Sequence, residues 1–551
     1  MKKLIKYLVI ATIAFVVLLI GVVVSAYFLI DPNNYQDEMT RYVKEKTGRD
    51  LIIGGDIEKS IYPLLGVKVP SITLSNPPGF KQKTFFSVKE AQVGVKLMPI
   101  FSGALESDLV RLVGLELNLE KNANGTQNWD DLIALAGQKD KGSSESSRST
   151  ETAPKQKMTF SFQGIEIIDA SISWTDVTNG QQYRVNEVNL SVSLEELSKP
   201  FDVAFSGKIQ SETPFLESRI DLKTTALMNE TFDQFNLSDL DLLINTEADG
   251  LPKGGVRVNL KTQIDASLPD QKVSIKEIQL QVNDILLNGH TSITNFLSAP
   301  AVSGKLQIEP LNPRELAKTF EIPLPEMQNP EALTKLGVDL NFNATPQAVA
   351  LDPIAIKFDN TSLSGKLGVS NFAKPALRFA FNADKINIDD YLPPESEESA
   401  QASQEKSEQA TEEAPDLSAL KELDLEGTIE ISEVVAKNLK TTDIKLTITG
   451  KNGKITIDPL SALLYQGSLD GKIQLDATQP TPVITIKKSL KDFQAGPFTT
   501  DLLGKERING IAMFDMDFKT TGITPDTIMK NLNGNGKFRF SDGAISGINL
   551  G

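Results

Sequence analysis

The stretch Ile444–Ile457, IKLTITGKNGKITI, carries the pattern that decides the fold of this chain. Apolar and polar residues alternate, stop at the turn sequence Gly450–Gly453, and then alternate again. A period of two places apolar side chains on one face of a strand and polar side chains on the other. The Asn-Gly pair is typical of a tight hairpin turn. We therefore predict a hairpin with one apolar face and one solvated face.

The same alternation recurs along the chain and indicates a mainly β protein. Leu115, Leu117 and Leu119 are separated by polar residues, as are Ile429 and Ile431. Strands with one apolar and one polar face are typical of antiparallel sheets with one side in solvent. The predicted fold is an extended, twisted antiparallel sheet with a few short helices.

A short phrase also recurs, consisting of a small polar residue, a glycine, usually a lysine, and then an apolar alternation. Its copies are Ser206–Ile209, Ser303–Leu306, Ser364–Leu367, Asp470–Ile473, Asn535–Phe538 and, more weakly, Asn288–His290. Glycine at the start of a strand suits a bulge or a sharp bend. The repeated phrase favours one long curved sheet, and the alternative is ordinary punctuation between hairpins of separate β domains.

The amino-terminal segment has the length and composition of a membrane anchor. Residues 7–30 are 24 residues without a charge, which as a helix would be about 36 Å long. Lys2, Lys3 and Lys6 precede the run, so the positive-inside rule predicts a cytoplasmic amino terminus and an external body after Asp31. The alternative is a cleaved signal peptide that ends near Val24–Ala26.

Short helices are predicted at three places. The first begins after Asn33 or Asn34 and ends at Gly48, with an apolar stripe that includes Met39 and Val43. It either packs on the first strands, or lies at the membrane surface or plugs the base of a cavity. The other two helices are predicted at Asn312–Phe320 and Asn329–Lys335.

The chain contains two polar, low-complexity segments, one from Gln138 to Lys157 and one from Glu395 to Pro415. Both are predicted to be disordered, because they hold too little apolar surface to offset the entropy cost of ordering the chain. They divide the chain into parts. The predicted boundaries are 1–30 for the cytoplasmic tip and anchor, 31–137 for a helix and β region, 138–157 for a linker, 158–392 for a central β region, 393–415 for an acidic linker and 416–551 for a carboxyl-terminal β region.

The residues that carry most enzyme chemistry are scarce. The chain has no cysteine, and His290 is its single histidine. The paired acids Asp130–Asp131 and Asp389–Asp390 are interpreted as capping or turn residues. A net charge of −16 argues against a nucleic-acid surface and against a polybasic grip on anionic lipid. We predict no enzymatic activity and no catalytic, metal or cofactor site.

Several ordered blocks resemble the AsmA family of proteins, which are anchored in the inner membrane of Gram-negative bacteria. The match is carried by Asp31–Pro32, Tyr35, Thr47–Arg49, Gly55, Ser60, Pro63, Asn122–Leu135, Ala383–Pro394, Ile455–Ile473 and Phe540–Leu550. Family members usually continue past the last block, whereas this chain stops at Gly551, so it is either a fragment or a member with an early end. The last strand would then be an exposed edge.

The resemblance implies a relation to bridge-like lipid-transfer proteins, in which a curled sheet forms an open groove with an apolar lining. The expected function is phospholipid transport to the outer membrane, or maintenance of its lipid balance, from an inner-membrane anchor across the periplasm. The expected partners are phospholipids, the inner membrane and outer-membrane components. The lining residues cannot be named from the sequence, because the face that each residue occupies depends on strand register.

Two other hypotheses remain open at this stage. One is a scaffold that assists insertion of outer-membrane proteins and uses exposed strand edges as templates. The other is an array of periplasmic β domains whose apolar faces are closed cores. Alternation alone does not separate an open apolar face from a filled core.

Overall fold

The computed structural model of the chain describes residues 32–60, 65–95, 105–138, 160–162, 164–194, 198–394 and 417–545. The predicted anchor lies outside these residues, as do nearly all of the two predicted linkers. The division into three β regions therefore remains a prediction. In the part of the chain that is described, no helix is both long enough and apolar enough to cross a membrane.

The described residues are mainly β and fall into two compact units. Unit 1 takes the residues up to Pro269 and Glu277–Asn283, and unit 2 takes Asp270–Lys276 and the residues from Asp284 onward. The amino-terminal part of unit 1 contains a 3-10 turn Pro32–Tyr35, α1 Gln36–Thr47, β1 Leu51–Ile53, β2 Glu58–Ser60, β3 Leu65–Val69, β4 Ile72–Ser75, β5 Thr84–Val88, β6 Glu90–Val95, β7 Leu105–Val113, β8 Glu116–Lys121, α2 Asp130–Gln138 and β9 Phe160–Phe162.

Longer strands follow in both units. Unit 1 continues with β10 Gly164–Asp176, β11 Gln181–Ser193, β12 Phe201–Glu212, β13 Phe215–Met228, β14 Gln234–Ala248 and β15 Val256–Ser267, and β16 Lys272–Val282 has residues in both units. Unit 2 holds β17 Ile285–Thr294, β18 Ala301–Leu311, α3 Pro313–Thr319, β19 Leu336–Thr345, β20 Ala348–Phe358, β21 Thr361–Ser370, β22 Ala376–Asn387, two 3-10 turns at Asp389–Tyr391 and Ser418–Lys421, β23 Asp424–Ala436, β24 Leu439–Lys451, β25 Lys454–Leu464, β26 Gly467–Asp476, β27 Val483–Gln494, α4 Ala495–Leu503, β28 Ile508–Thr521, α5 Pro525–Lys530 and β29 Asn533–Ile545.

The hairpin predicted from Ile444–Ile457 is confirmed. Strands β24 and β25 pair antiparallel, with Lys451 directly across from Lys454. The two turn residues between them, Asn452 and Gly453, have φ angles of 51° and 77°. Both therefore occupy the left-handed region that Asn and Gly tolerate best, which is why the chain reverses at this point.

The prediction of an antiparallel sheet is wrong in part, because the sheet is mixed. Most neighbouring strands are antiparallel hairpins, but β10 pairs parallel with both β7 and β8, and β7 pairs parallel with β9. In unit 2, β22 and β23 are parallel in register from Ala376 and Asp424 onward. A parallel pair needs a long connection that returns to the same end of the sheet. Period-two alternation is the same in both arrangements and does not reveal this.

The helix predictions had mixed outcomes. Gly48 ends α1 with a φ of 72°, and its N–H donates to the Lys44 carbonyl at 2.8 Å. Asn33 does not cap α1, since its Oδ1 instead accepts from the Ile57 N–H at 2.7 Å. The helix predicted at Asn312–Phe320 is confirmed as α3, with Asn312 accepting from two N–H groups of the first turn.

The helix predicted at Asn329–Lys335 is wrong, because tertiary contacts take the backbone groups that a helix would use. The Asp359 carboxylate accepts from the N–H groups of Leu333, Thr334 and Lys335 at 2.8 to 3.0 Å. The Arg314 guanidinium donates to the Ala332 carbonyl at 2.8 Å. The segment is therefore a turn.

The core of the amino-terminal part of unit 1 is closed. Val88, Ala91, Val93 and Val110 are each no more than 3% exposed and belong to one cluster of buried aliphatic side chains. The neighbouring cluster around Trp129 holds a buried charge.

That buried charge is Arg49, whose side chain is fully buried. Its guanidinium contacts both carboxylate oxygens of Asp131, at 2.6 and 2.9 Å, and donates to the Asn128 carbonyl at 2.6 Å. It also lies 4.5 Å from the centre of the Phe85 ring. These contacts join two of the blocks that carry the family resemblance, Thr47–Arg49 and Asn122–Leu135, so both blocks have a structural role in the same junction.

We expect Asp131→Ala to destabilise this junction, because it leaves the Arg49 charge buried without its partner. The cost is about 2 to 3 kcal/mol, less than for a fully buried pair, since Asp131 is 35% exposed. Hydrogen exchange of the full chain, followed by mass spectrometry, should show faster exchange in α1, β1 and α2. The matched control is Asp517→Ala, which removes an exposed ion pair with Lys487 and should change exchange little. Equal protection in both variants would contradict the role given to Arg49.

Candidate functional site

The most extensive feature of unit 2 is an unbroken row of residues that face the same side of the sheet. Residues directly across a ladder share a face, so the register identifies them. We define row A as Gly289, Leu306, Leu340, Ile354, Gly365, Phe381, Ile429, Leu446, Leu460, Gly471, Lys488, Met516 and Gly536. Each member is the register partner of the next.

A second row lies beside row A on the same face. We define row B as Gly304, Phe342, Leu351, Leu367, Phe379, Gly427, Ile448, Ile457, Ile473, Ile486, Phe518 and Gly534. All of its members are apolar. Rows A and B together make up the apolar face of unit 2.

Unit 1 has an equivalent apolar row. We define row C as Ile167, Leu190, Phe205, Leu222, Leu242 and Leu260, again linked by direct register pairs from β10 to β15. Gly207, Ile220, Ile244 and Val258 continue the same face beside it.

The opposite face is polar in both units. In unit 2 the register links Ser364, Asn382, Glu430, Lys445, Ser461, Asp470, Ser489, Asp515 and Lys537 into one row. In unit 1, Lys223, Asp241 and Lys261 are neighbours, and the ammonium of Lys261 lies 3.8 Å from the Asp241 carboxylate. The two faces therefore differ in chemistry along the strands that these register pairs link.

Charge pairs stabilise the ionised form of acids in unit 2. A hydrogen bond from the Arg378 guanidinium at 2.6 Å lowers the pKa of Asp424 below its ordinary value. Hydrogen bonds from Lys440 and then Lys385 lower the pKa of Glu433 in the same way. These carboxylates therefore stay charged at neutral pH and keep their surroundings hydrated.

Most side chains of the apolar rows are neither buried nor fully exposed, although Ile354 of row A is buried, with 6% of its surface exposed. All six members of row C are half-buried, and so are Leu306, Leu340, Phe381, Ile429, Leu446 and Leu460 of row A. By contrast, aliphatic residues of the amino-terminal cluster are almost completely buried. A filled sandwich core would bury its inner rows to the same extent as that cluster. The apolar rows are therefore accessible to solvent or to a ligand.

The recurring glycines lie within this face and not at the starts of strands. Gly365 is in the middle of β21 and pairs with Phe381, and a Cβ added there would come within 2.6 Å of the Phe381 ring. At Gly304 the added Cβ would meet the Phe342 ring at 2.8 Å. At Gly304 and Gly365 the missing side chain thus makes room for an aromatic ring on the neighbouring strand, which is a packing role that local sequence did not reveal.

The residues considered for chemistry lie apart from the apolar rows. His290 is exposed on the polar face, across from Lys305. Asp130, the first residue of α2, accepts from the Gln127 N–H in the turn before the helix, and Asp389 accepts from the N–H groups of Lys437 and Asn438. In the part of the chain that is described, no group of three or more His, Cys, Asp or Glu residues could hold a metal ion.

Comparisons with known proteins show which family the chain belongs to. The model of the AsmA family matches residues 1–551. The chain belongs to the AsmA family. It is 20% identical over 558 residues to Protein AsmA of Escherichia coli K12, an alignment that covers 99% of this chain and 75% of that protein. No solved structure matches it significantly. AsmA-family proteins are not known enzymes, which agrees with the prediction from the sequence.

The absence of cysteine makes the exposure of the rows directly measurable. We expect Leu222→Cys, in row C, to react with a small thiol reagent in the folded full chain at least about tenfold faster than Val93→Cys in the closed core. Lys223→Cys on the polar face is the control for a freely exposed position. If Leu222→Cys were as unreactive as Val93→Cys, row C would be covered by another layer.

Proposed function

We propose that this AsmA-family protein binds the acyl chains of phospholipids on its apolar rows and supports lipid transport between the membranes of the cell envelope. One observation carries the proposal, namely that rows A, B and C are long and continuous, are apolar except at Lys488, and keep most of their large side chains only half-buried. Family membership supports it, since the resemblance implies a relation to lipid-transfer proteins.

The energetics favour chains of hydrocarbon as the ligand. Each buried CH₂ contributes roughly 0.8 kcal/mol, so a lipid with two long chains gains much by leaving water for an apolar row. A half-buried row offers this gain without unfolding a core. The polar opposite face keeps the sheet soluble while the apolar row covers the chains. No catalytic residue is needed for this role.

The predicted anchor completes the proposal. The uncharged run at residues 7–30 would hold the chain in the inner membrane with its body in the periplasm. α1 follows that run directly, and Val43 of α1 packs on the Trp129 cluster. The Arg49 junction then ties the end of α1 to α2 and to Phe85 of β5.

The scaffold hypothesis has one supporting observation. β29 pairs with β28 on one side, and the register pairs of the described residues give it no strand on its other side. Phe538 of this strand is 67% exposed. Such an edge can template another strand. Crosslinks from β29 to outer-membrane protein precursors, together with lipid-free apolar rows, would favour this second function.

Photo-crosslinking in living cells tests the proposal with the full chain in its membrane. A photoreactive residue at Leu222 or Leu446 should form adducts with phosphate-labelled phospholipid, because both positions lie on apolar rows. The same residue at Lys223 or Lys445, one position away on the polar face, should form none. Adducts at all four positions, or at none, would contradict lipid binding on the rows.

Two adjacent leucines in β14 allow a matched pair of variants. Leu242 belongs to row C, whereas Leu243 faces the other side and pairs with Asp221 and Asn259. Leu242→Glu places a carboxylate where acyl chains are proposed to lie, and should lower lipid adducts at Phe205 by about tenfold or more. Leu243→Glu should leave the yield nearly unchanged. Equal yields in the two variants would contradict a binding role for row C.

A further inference from the structure

Lys488 is the one charged residue among the described members of rows A, B and C. It lies in β27, with Gly471 on one side of it in row A and Met516 on the other. Its neighbours on the same strand and face, Ile486 and Leu490, are apolar. An ammonium group therefore interrupts a surface that otherwise carries only apolar side chains.

The position of this lysine is set by the glycines beside it. A Cβ added at Gly471 would lie 3.1 Å from Lys488 Cγ, so the lysine stem crosses the space that the missing side chain leaves free. Gly536, two strands away in the same row, also removes side-chain bulk from the surface. Gly471 and Gly536 are both glycines of the recurring phrase found in the sequence.

Lys488 has no counter-charge in the part of the structure that is described, since no ion pair or hydrogen bond joins it to another described residue. The adjacent Lys487 differs, because it points to the polar face and its ammonium lies 3.0 Å from the Asp517 carboxylate. Lys488 is half-buried. In the uncovered protein, water can solvate its ammonium.

Covering the face with acyl chains would remove water from the Lys488 ammonium. An ammonium that loses water without gaining an anion costs several kcal/mol, on the order of the penalty for a buried unpaired charge. The lysine cannot reach solvent at the end of its strand, because Lys488 is five residues from the nearer end of β27, about 16 Å at roughly 3.3 Å per residue. An anionic group delivered with the lipid would remove the penalty.

We propose that Lys488 binds the phosphate of a phospholipid whose acyl chains lie on the adjoining parts of rows A and B. This inference rests on the proposed function and adds to it a preference for anionic lipids at β27. Phosphate and ammonium form a charge-assisted hydrogen bond that is strengthened where water is partly excluded. Lys488 acts here as a binding residue, and no covalent step is involved.

The test uses the full chain, extracted in detergent, with a photoreactive residue at Phe518 of row B. Mixed micelles supply equal amounts of phosphatidylglycerol and diacylglycerol with identical acyl chains, and mass spectrometry measures the ratio of the two adducts. We expect the unmodified protein to favour the phosphate-bearing lipid by about fivefold. Lys488→Met should bring the ratio close to unity, because methionine keeps the apolar volume and removes the charge.

Two variants serve as controls. Lys487→Met removes a neighbouring charge from the opposite face and should keep the preference, and Lys488→Arg should keep it because the charge is retained. An unchanged ratio in Lys488→Met, or no preference in the unmodified protein, would overturn the role of Lys488 while lipid binding on the rows stands. If neither lipid forms an adduct, the proposed function fails and this inference fails with it.

Discussion

Hydrogen-bond register is the constraint on which the rest of this structure depends. Residues directly across a ladder face the same side of the sheet, so each strand adds its period-two pattern to that of its neighbours. In unit 2 the row A positions of successive strands stay aligned in this way from Gly289 to Gly536 without a break. Bulges occur on the way, for example between Leu340 and Phe342, and the apolar residues on both sides of that bulge still pair with apolar partners. A slip of one residue in any strand would place charges among the leucines.

The protein buries the Arg49 charge in one place and leaves its apolar rows open in another. Around Arg49 a charge, a hydrogen-bonded asparagine and an aromatic ring are packed together with little access to water. Along rows A and C, leucine and phenylalanine side chains remain partly accessible. The first arrangement gives a rigid start to unit 1, and the second provides surface for a ligand. A protein that needed only stability would bury the rows as well, since apolar burial is the main stabilising contribution to folding.

Part of this could be predicted from the sequence. The hairpin at Ile444–Ile457 follows from alternation and an Asn-Gly turn, and α3 follows from an asparagine cap before a proline. The turn at Asn329–Lys335 could not be predicted, because the Asp359 carboxylate that holds its N–H groups comes from the turn between β20 and β21, more than twenty residues away. The recurring glycines were recognised as a repeated feature, but their aromatic partners, such as Phe381 for Gly365, are known only once the strands are paired.

The sequence by itself determined the strand character of the chain, its two-faced alternation, the family to which it belongs and the scarcity of catalytic residues. These are local or compositional properties, and they do not depend on which strand neighbours which. Tertiary structure alone decided the parallel pairs, the junction between Arg49 and Asp131, the members of the apolar rows and the position of Lys488 among them. Each of these depends on contacts between residues far apart in the chain, and a one-residue change in register would alter them while the alternation stayed the same.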